Sequence, residues 1–180
     1  MTLKSTILTI FAVVAFSTTV FSFNGYESYI EKFNPEISEE LIYNIGESTL
    51  NAAKEYKFNP ILLLAVQKTE SHFDVYAFSS YDARGLMQIR VPVWFKTLKK
   101  AGLMRTWRDF YDPERNIHSG AFILDHYRKS CSNDQNVLKC ALQKYNGDRK
   151  GSKYHKKVMK AVLQYHKLQH KDLRLKLAKL

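Results

Sequence analysis

The segment that most constrains the fold is a short stretch that would be apolar on every side of a helix. Asn59-Pro60 is a helix start signal, and the residues that follow, Ile61 to Val66, are all apolar. A helix without a polar face is buried all round, so other elements must surround it. Polar residues return near Ser71, where the helix is predicted to end. The sequence therefore predicts a domain built around one central helix.

The rest of the chain predicts amphipathic helices around that centre. Apolar residues recur at helical spacing after Asn34-Pro35, after Pro92, after Asp112-Pro113, over Val137–Tyr145 and from Ser152 onwards. The chain has only 7 Gly and 4 Pro, and no convincing alternation of period two appears. The predicted fold class is therefore mainly α, with at most one small β-hairpin near residues 72–81, in a single domain over residues 23–165.

The first residues have the pattern of an export signal. Lys4 precedes an apolar run from Ile7 to Val20, and Val20-Phe21-Ser22 places small residues at the two positions that a signal peptidase reads. We expect residues 1–22 to be a cleaved signal peptide, which sends the chain to the periplasm or the cell envelope. The alternative is an N-terminal membrane anchor that stays attached.

Positive charge is concentrated at the carboxyl end. The chain has 28 Lys and Arg against 17 Asp and Glu, a net charge of +11. Residues 149–180 alone hold eleven Lys and Arg and one acid, which gives 11 − 1 = +10. A solvated lysine-rich helix explains this, and so does docking of a basic C-terminal tail, residues 166–180, on an anionic envelope surface. Nucleic acid is not expected as a partner, because no aromatic platform interrupts the basic run.

The chain has two cysteines, Cys131 and Cys140, separated by a polar, turn-like stretch. In an exported chain this spacing predicts a disulfide that clips the turn between two helices. The alternative is a pair of buried free thiols. His166 and His170 stand four residues apart on the last helix, but without a carboxylate partner we interpret them as part of a solvated face, so neither a metal nor a cofactor is expected.

One carboxyl group suggests chemistry. Glu70 is the only acid in the helix over residues 60–71, and it lies at the carboxyl end of that helix. Burial and the negative end of the helix dipole both disfavour its charged form and raise its pKa. A carboxyl group that is still protonated near neutral pH can serve as a general acid. A structural glutamate that is hydrogen-bonded at a helix end is the alternative.

Four motifs, which follow one another between Asn59 and about Val158, resemble those of the lytic transglycosylases. These bacterial enzymes cleave the glycan strands of peptidoglycan and have a goose-type lysozyme-like α fold. The motifs are Thr69-Glu70-Ser71-His72-Phe73-Asp74, Gly85-Leu86-Met87-Gln88-Ile89, Asn116-Ile117 with Gly120, and Tyr145-Asn146-Gly147. The resemblance implies a lysozyme-like fold for this chain, and peptidoglycan as the substrate.

The resemblance also implies the role of each matching residue. Glu70 is expected to protonate the oxygen that joins N-acetylmuramic acid to N-acetylglucosamine, and then to act as base on the C6 hydroxyl, which closes a 1,6-anhydro ring. Substrate contacts are expected from Ser71 at the start of the cleft, from Met87 as a wall and from Gln88 by hydrogen bonding. Tyr145 is expected to orient the catalytic acid, and Asn146 to hold the turn that presents Tyr145.

Two other functions fit parts of the sequence. Hydrolysis by a muramidase normally needs two carboxylates, and the candidates near Glu70 in sequence are Asp74 and Asp82, which we interpret as turn residues. A non-catalytic protein that holds glycan has no need of a buried acid.

An envelope-spanning secretion or conjugation apparatus is the kind of assembly that a small wall-cleaving protein with a basic tail would serve.

Overall fold

The computed structural model describes residues 25–147 and 153–177, with side chains of the second range described up to Arg174. The predicted signal peptide, residues 1–22, lies outside these ranges. The helices are α1 (Tyr26–Phe33), α2 (Glu39–Tyr56), α3 (Pro60–Ser71), α4 (Val91–Lys100), α5 (Pro113–Ser130), α6 (Val137–Tyr145) and α7 (Lys153–Leu177), with a 3-10 helix over Trp107–Tyr111. Strands β1 (Ala83–Arg84) and β2 (Ile89–Arg90) pair antiparallel. The predicted mainly α fold is confirmed.

The central helix of the prediction is α3. The Asn59 side chain accepts a hydrogen bond from the backbone N–H of Ile61 at 2.8 Å, and Pro60 is the first helical residue. Leu63, Leu64 and their neighbours on α3 are buried. The helix packs between α2 and α7, with its most extensive contact on α7. Since α3 has no polar face, it can fold only with helices on both of its sides.

Helix α5 is the second organising element, and it packs on both α2 and α6. The Asp112 side chain caps it by accepting from the backbone N–H of Arg115 at 2.8 Å. The predicted stripe is largely buried, since Ile117, Ala121 and Leu124 are all at 0% exposure. A cap and a stripe that agree in this way fix both the start of α5 and the face that it turns to the core.

The amino-terminal helices differ from the sequence prediction. The Asn34-Pro35 pair does not begin a helix, because the N–H of Asn34 donates to Ile30 and ends α1. Helix α2 begins later, after Ser38, whose side chain accepts from the backbone N–H of Leu41. The short α1 has no start signal of its own. It is held by burial, with the Tyr29 hydroxyl donating to the carbonyl of Ala161 in α7 at 2.9 Å.

The small hairpin lies downstream of its predicted position. Ala83 pairs with Arg90 and Arg84 with Ile89, so the Gly-Leu-Met-Gln segment forms the connecting loop. Of the predicted location at residues 72–81, only Phe78 pairs, in an isolated antiparallel bridge to Arg84, and the two strands themselves lie further along the chain. On either side of Phe78 the backbone turns with the help of side chains: Asp74 accepts from the N–H of Tyr76, and Ser79 accepts from the N–H of Tyr81. Such local bonds compete with strand pairing.

Helix α7 packs on α3 with the predicted inward residues: Tyr154, Val158, Ala161 and Tyr165 are all buried. It continues unbroken through the predicted start of the basic tail at residue 166 and is described as far as Leu177. Within the described ranges, no helix combines the length and the apolar character that a membrane crossing requires.

The predicted disulfide is present. Cys131, which ends α5, is bonded to Cys140 in α6, with a Cα–Cα distance of 6.0 Å. The bond closes a short loop between the two helices and so fixes how α6 leaves α5. Tyr145 and Asn146 stand at the far end of α6, which makes this geometry relevant to the cleft described below.

We expect the double variant C131A/C140A to lower the free energy of unfolding by about 2–3 kcal/mol, because the unfolded chain regains the entropy of a short closed loop. Urea unfolding of the oxidised protein and of the variant measures the difference. Reductant should bring the parent protein to the stability of the variant and leave the variant unchanged. Equal midpoints before reduction would contradict the prediction.

Candidate active site

Glu70 lies in the last turn of α3 and faces a cleft with a volume of about 360 Å³. The cleft lies where the end of α3, the hairpin and the end of α6 meet. Its lining residues are Glu70, Ser79, Tyr81, Ala83, Gln88, Arg90, Tyr145, Asn146 and Gly147. A smaller depression shares several of these residues and continues the groove as far as Trp94 and Tyr127. The predicted site residues Glu70, Gln88, Tyr145 and Asn146 are therefore brought together.

Protein surrounds most of the Glu70 carboxyl group, although part of the residue stays open to the cleft. Burial raises the pKa of Glu70 to about 7, while a hydrogen bond from Tyr154 and the charge of Lys157 act in the opposite direction. Near neutral pH the group is therefore present in both forms. A carboxyl group in this state can release a proton and take one back without a large energetic cost in either direction.

The hydroxyl group that contacts Glu70 belongs to Tyr154 of α7, which donates to Oε1. The resemblance assigns this role to Tyr145, but the Tyr145 hydroxyl donates to the backbone carbonyl of Met87 at 2.8 Å. Sequence reasoning placed Tyr154 in the core because it shares a helical stripe with Val158 and Ala161. A tyrosine on a buried face has the same spacing whether or not its hydroxyl reaches an acid, so spacing offers no signal for this role.

The hairpin loop over residues 85–88 is held to α5 by one side chain. Asn116 accepts from the backbone N–H of Met87 at 2.8 Å, and its amide donates to the carbonyls of Phe110 at 2.7 Å and Arg84 at 3.1 Å. Gly85 has a φ of +72°, and a Cβ there would lie 2.1 Å from the carbonyl oxygen of Phe110. Only glycine fits at this position. The motif that begins at Gly85 and the motif that begins at Asn116 therefore pack directly against each other.

Met87 does not form a wall of the cleft, which corrects the expectation from the resemblance. Its side chain is at 0% exposure and packs on α5, where a Cβ at Gly120 would lie 2.6 Å from it. The backbone of Met87 matters more to the site, since it accepts from Tyr145 and donates to Asn116. Met87 is therefore a buried core residue that positions the loop.

Gln88 reaches the cleft in a left-handed backbone conformation with a φ of +45°. Its amide nitrogen donates to the carbonyls of Ala77 at 3.0 Å and Gly85 at 3.2 Å. The side-chain oxygen of Gln88 makes no hydrogen bond with the described residues and is free to accept one from a ligand. The amide nitrogen thus fixes the side chain of Gln88, and the amide oxygen stays available to a ligand.

Ser71 and Asn146 act on the backbone around the cleft. The Ser71 hydroxyl donates to the carbonyl of Gln67 at 3.0 Å and accepts from the N–H of Phe73 at 3.1 Å, which closes α3. These bonds use the hydroxyl group, so Ser71 shapes the cleft and does not line it. Asn146 ends α6 and lines the cleft itself.

The other acids near Glu70 in sequence are occupied by turns. Asp74 accepts from the backbone N–H of Tyr76 at 2.8 Å. Asp82 pairs with Arg84 at 2.7 Å. Among the described residues that line the cleft, Glu70 is the only carboxylate. Residues 25–147 and 153–174 contain no cluster of His, Cys, Asp and Glu that could hold a metal ion.

Aromatic rings stand exposed on the hairpin side of the cleft. Tyr81, which lines the cleft, is 74% exposed, and Phe78 and Trp107 are 62% and 52% exposed. The Arg84 guanidinium lies 5.6 Å from the ring of Phe78 and 5.7 Å from that of Trp107, and Arg90 lies 5.9 Å from that of Tyr81. Flat rings beside cations form a surface suited to sugar faces and to anionic substituents.

Comparisons with known proteins agree with this geometry. The family model of the transglycosylase SLT domain matches residues 47–166. Membrane-bound lytic murein transglycosylase C of Serratia proteamaculans is 34% identical over 106 residues, which cover 53% of this chain and 29% of that protein. The Haemophilus influenzae protein of the same name is 37% identical over 76 residues, covering 41% of this chain and 21% of that protein. The chain thus spans less than a third of the length of these relatives.

A solved structure shares the fold. The X-ray structure of an inactive mutant of lytic transglycosylase Slt from Pseudomonas aeruginosa matches with a TM-score of 0.58 at 18% sequence identity. The match covers 69% of this chain and 24% of that chain. The predicted lysozyme-like architecture of the SLT domain is therefore confirmed for this chain.

The raised pKa predicts how stability depends on pH. The pKa of Glu70 is about 7 in the folded protein against an ordinary value of 4.5. Folding therefore favours the protonated form, and stability falls as pH rises from about 4.5 to 7. The Glu70→Gln variant cannot ionise. Between pH 4.5 and pH 8, the free energy of unfolding of the variant should therefore rise by up to about 3 kcal/mol relative to that of the parent.

Urea unfolding of both proteins at pH 4.5 and pH 8 measures this effect, because losses caused by the amide itself are the same at the two pH values and cancel. An exposed control, Glu36→Gln, should show no such change. A parent-to-variant difference that does not depend on pH would contradict the raised pKa.

Proposed function

The chain belongs to the transglycosylase SLT domain family, and we propose that it is a lytic transglycosylase that cleaves the glycan strands of peptidoglycan. The observation that carries this proposal is a single cleft carboxyl group with a pKa near 7. One group in that state suits a reaction in which the same residue serves first as acid and then as base. The names of the relatives support the proposed substrate.

In the first step, protonated Glu70 donates its proton to the glycosidic oxygen between N-acetylmuramic acid and N-acetylglucosamine. The bond from that oxygen to C1 of the muramic acid breaks, and positive charge develops at C1. Glu70 is left ionised beside that charge. The bond from Tyr154 and the charge of Lys157, both of which lower the pKa of Glu70, favour this ionised state.

In the second step, the Glu70 carboxylate takes the proton from the C6 hydroxyl of the same muramic acid. The C6 oxygen attacks C1 and closes a 1,6-anhydro ring. Glu70 ends protonated, as it began, and no water is consumed. The balance needs only one carboxyl group, which agrees with the single carboxylate among the described residues of the cleft lining.

The remaining residues of the site bind and position in this proposal. The free side-chain oxygen of Gln88 accepts a hydrogen bond from the sugar, and Tyr81 offers a ring face beside the cleft. Tyr154 positions the Glu70 carboxyl group. Tyr145 acts one step further away, since its bond to the Met87 carbonyl fixes the loop that carries Gln88.

Hydrolysis and passive glycan binding are the competing functions. A hydrolase of the common two-carboxylate kind would need a second acid about 5–10 Å from Glu70, and Asp74 and Asp82 are both engaged in turns. A passive binder would gain nothing from a buried acid that lowers stability at neutral pH. Both observations favour lytic cleavage.

We also propose that the chain works in the cell envelope. Its sequence begins with the pattern of an export signal, and its disulfide suits an oxidising compartment. The relatives carry the words "membrane-bound" in their names.

The Glu70→Gln variant tests the proposed reaction. The parent protein should release fragments from purified peptidoglycan that end in 1,6-anhydromuramic acid, and mass spectrometry should find them one water lighter than hydrolysis products. The variant should lose about 10²- to 10⁴-fold of this rate, because it keeps the shape of the residue without the proton. Glu36→Gln is the matched control and should cleave normally. Products with a reducing end would overturn the lytic reaction, and a variant as active as its parent would overturn the role of Glu70.

The Tyr154→Phe variant tests the positioning role. A single acid that must start protonated makes kcat/KM fall as pH rises above about 7, the pKa of Glu70. Removing the hydroxyl removes a bond that lowers that pKa, so the alkaline limb of the pH profile should move to higher pH and kcat should fall. Tyr29→Phe, which removes another buried tyrosine hydroxyl bonded to α7, should leave the limb in place. An unmoved limb in Tyr154→Phe would show that the hydroxyl does not act on Glu70.

A further inference from the structure

The outer face of α7 carries a continuous row of positive charge. Every lysine and arginine from Lys153 to Arg174, seven in all, is exposed. At 100° per residue, these seven side chains leave the helix within an arc of about 100°. The buried residues of α7, such as Val158 and Tyr165, leave it on a separate face centred about 120° away. We call these seven residues the basic stripe.

The basic stripe is not neutralised within the described residues. None of the ion pairs there involves a cation of α7. The one acid in this stretch, Asp172, faces the other way and accepts from the Ser28 hydroxyl of α1 at 3.3 Å. Like charges three and four residues apart on a helix repel one another, so the stripe lowers the stability of α7 until an anion covers it.

The length and straightness of the basic stripe indicate which kind of polyanion could cover it. From Lys153 to Arg174 the helix rises about 31 Å without a break, so the charges lie along a straight line. A flat array of phosphate groups can meet all of them together. The end that carries Lys157 lies beside Glu70, but the distal end, from Lys167 to Arg174, lies about 15 Å or more further along the helix. A glycan strand in the cleft therefore does not account for the distal charges.

The amino terminus of the fold meets α7 at the distal end. The Gln169 side chain donates to the carbonyl of Gly25 at 2.9 Å, between Lys167 and Lys171 along the helix. At 100° per residue, Gln169 leaves the helix on the face opposite the basic stripe, so this contact leaves the stripe uncovered. Leu163 stands 58% exposed beside the stripe and adds an apolar contact of the kind that interfacial helices use.

From these observations we infer that the basic stripe is a docking surface for anionic lipid head groups, which lays α7 along a membrane surface. Clusters of four to eight Lys and Arg on an amphipathic helix have this property. Docking by the stripe does not depend on the proposed function, because lipid binding is measured without catalysis.

Vesicle binding tests this inference. The protein is purified from the envelope of cells expressing the full chain, so that it carries its natural amino terminus. It is sedimented with vesicles of phosphatidylcholine, with and without 30% phosphatidylglycerol. The triple variant K167Q/K171Q/R174Q changes the distal stripe only, away from the cleft. The control K96Q/K99Q/K100Q removes the same charge from exposed positions of α4.

We expect the parent and the control to bind the anionic vesicles equally, and the distal variant to bind them about 100-fold more weakly. None should bind vesicles of pure phosphatidylcholine differently from the others, because all share the same amino terminus. All should cleave soluble glycan fragments at the same rate, which separates docking from catalysis.

Three results would overturn the inference. If the distal variant and the control lost equal affinity for the anionic vesicles, net charge alone would account for binding. Absence of any preference for phosphatidylglycerol would show that the stripe does not recognise lipid. A distal variant that keeps vesicle binding but loses binding to uncleaved peptidoglycan or to DNA would assign the stripe to that polymer instead.

Discussion

The burial of the apolar part of α3 is the constraint on which the rest of the structure depends. A helix without a polar face must be covered by its neighbours, here α2 and α7, and its end must be sealed inside the protein. Ser71 and the left-handed residues His72 and Phe73 provide that seal. Glu70 belongs to this last turn, so the packing that makes the core also removes most of its carboxyl group from water.

The same burial sets the conflict that the site resolves. An ionised carboxylate in this position is disfavoured, yet a reaction that returns a proton to Glu70 needs the ionised form to exist. Tyr154 and Lys157 lower the energetic cost of ionising Glu70 but do not remove it, so the pKa of Glu70 stays near 7. The protein is therefore less stable at neutral pH, but it has a carboxyl group that can both donate and accept a proton there. Functional sites commonly show this compromise.

Local signals explain what could be predicted from the sequence. Asn59-Pro60 and Asp112-Pro113 each combine a cap with a proline, and both helices begin as predicted. The disulfide and the end of α6 at Asn146 also follow from short-range patterns. The location of Glu70 at the carboxyl end of the buried helix could be predicted because it is the only acid in α3.

What could not be predicted depends on contacts between distant segments. Helix α1 forms because Tyr29 is buried against α7, and no cap marks its start. Met87 has the same sequence pattern whether it faces the cleft or α5, and packing on Gly120 decides for α5. The hydroxyl group that contacts Glu70 comes from Tyr154 and not from Tyr145 for the same reason, since a hydroxyl group finds its acceptor only after the helices have packed.

The bond between Tyr154 and Glu70 joins residues that are 84 positions apart in the chain. During synthesis, the segment that holds the acid leaves the ribosome long before the segment that holds its tyrosine. The acid therefore has no finished surroundings until α7 has been made and has packed on α3, because a contact of this span must wait for both of its ends. A nascent or truncated chain that stops before residue 153 carries the whole acid-bearing helix and still lacks a complete site.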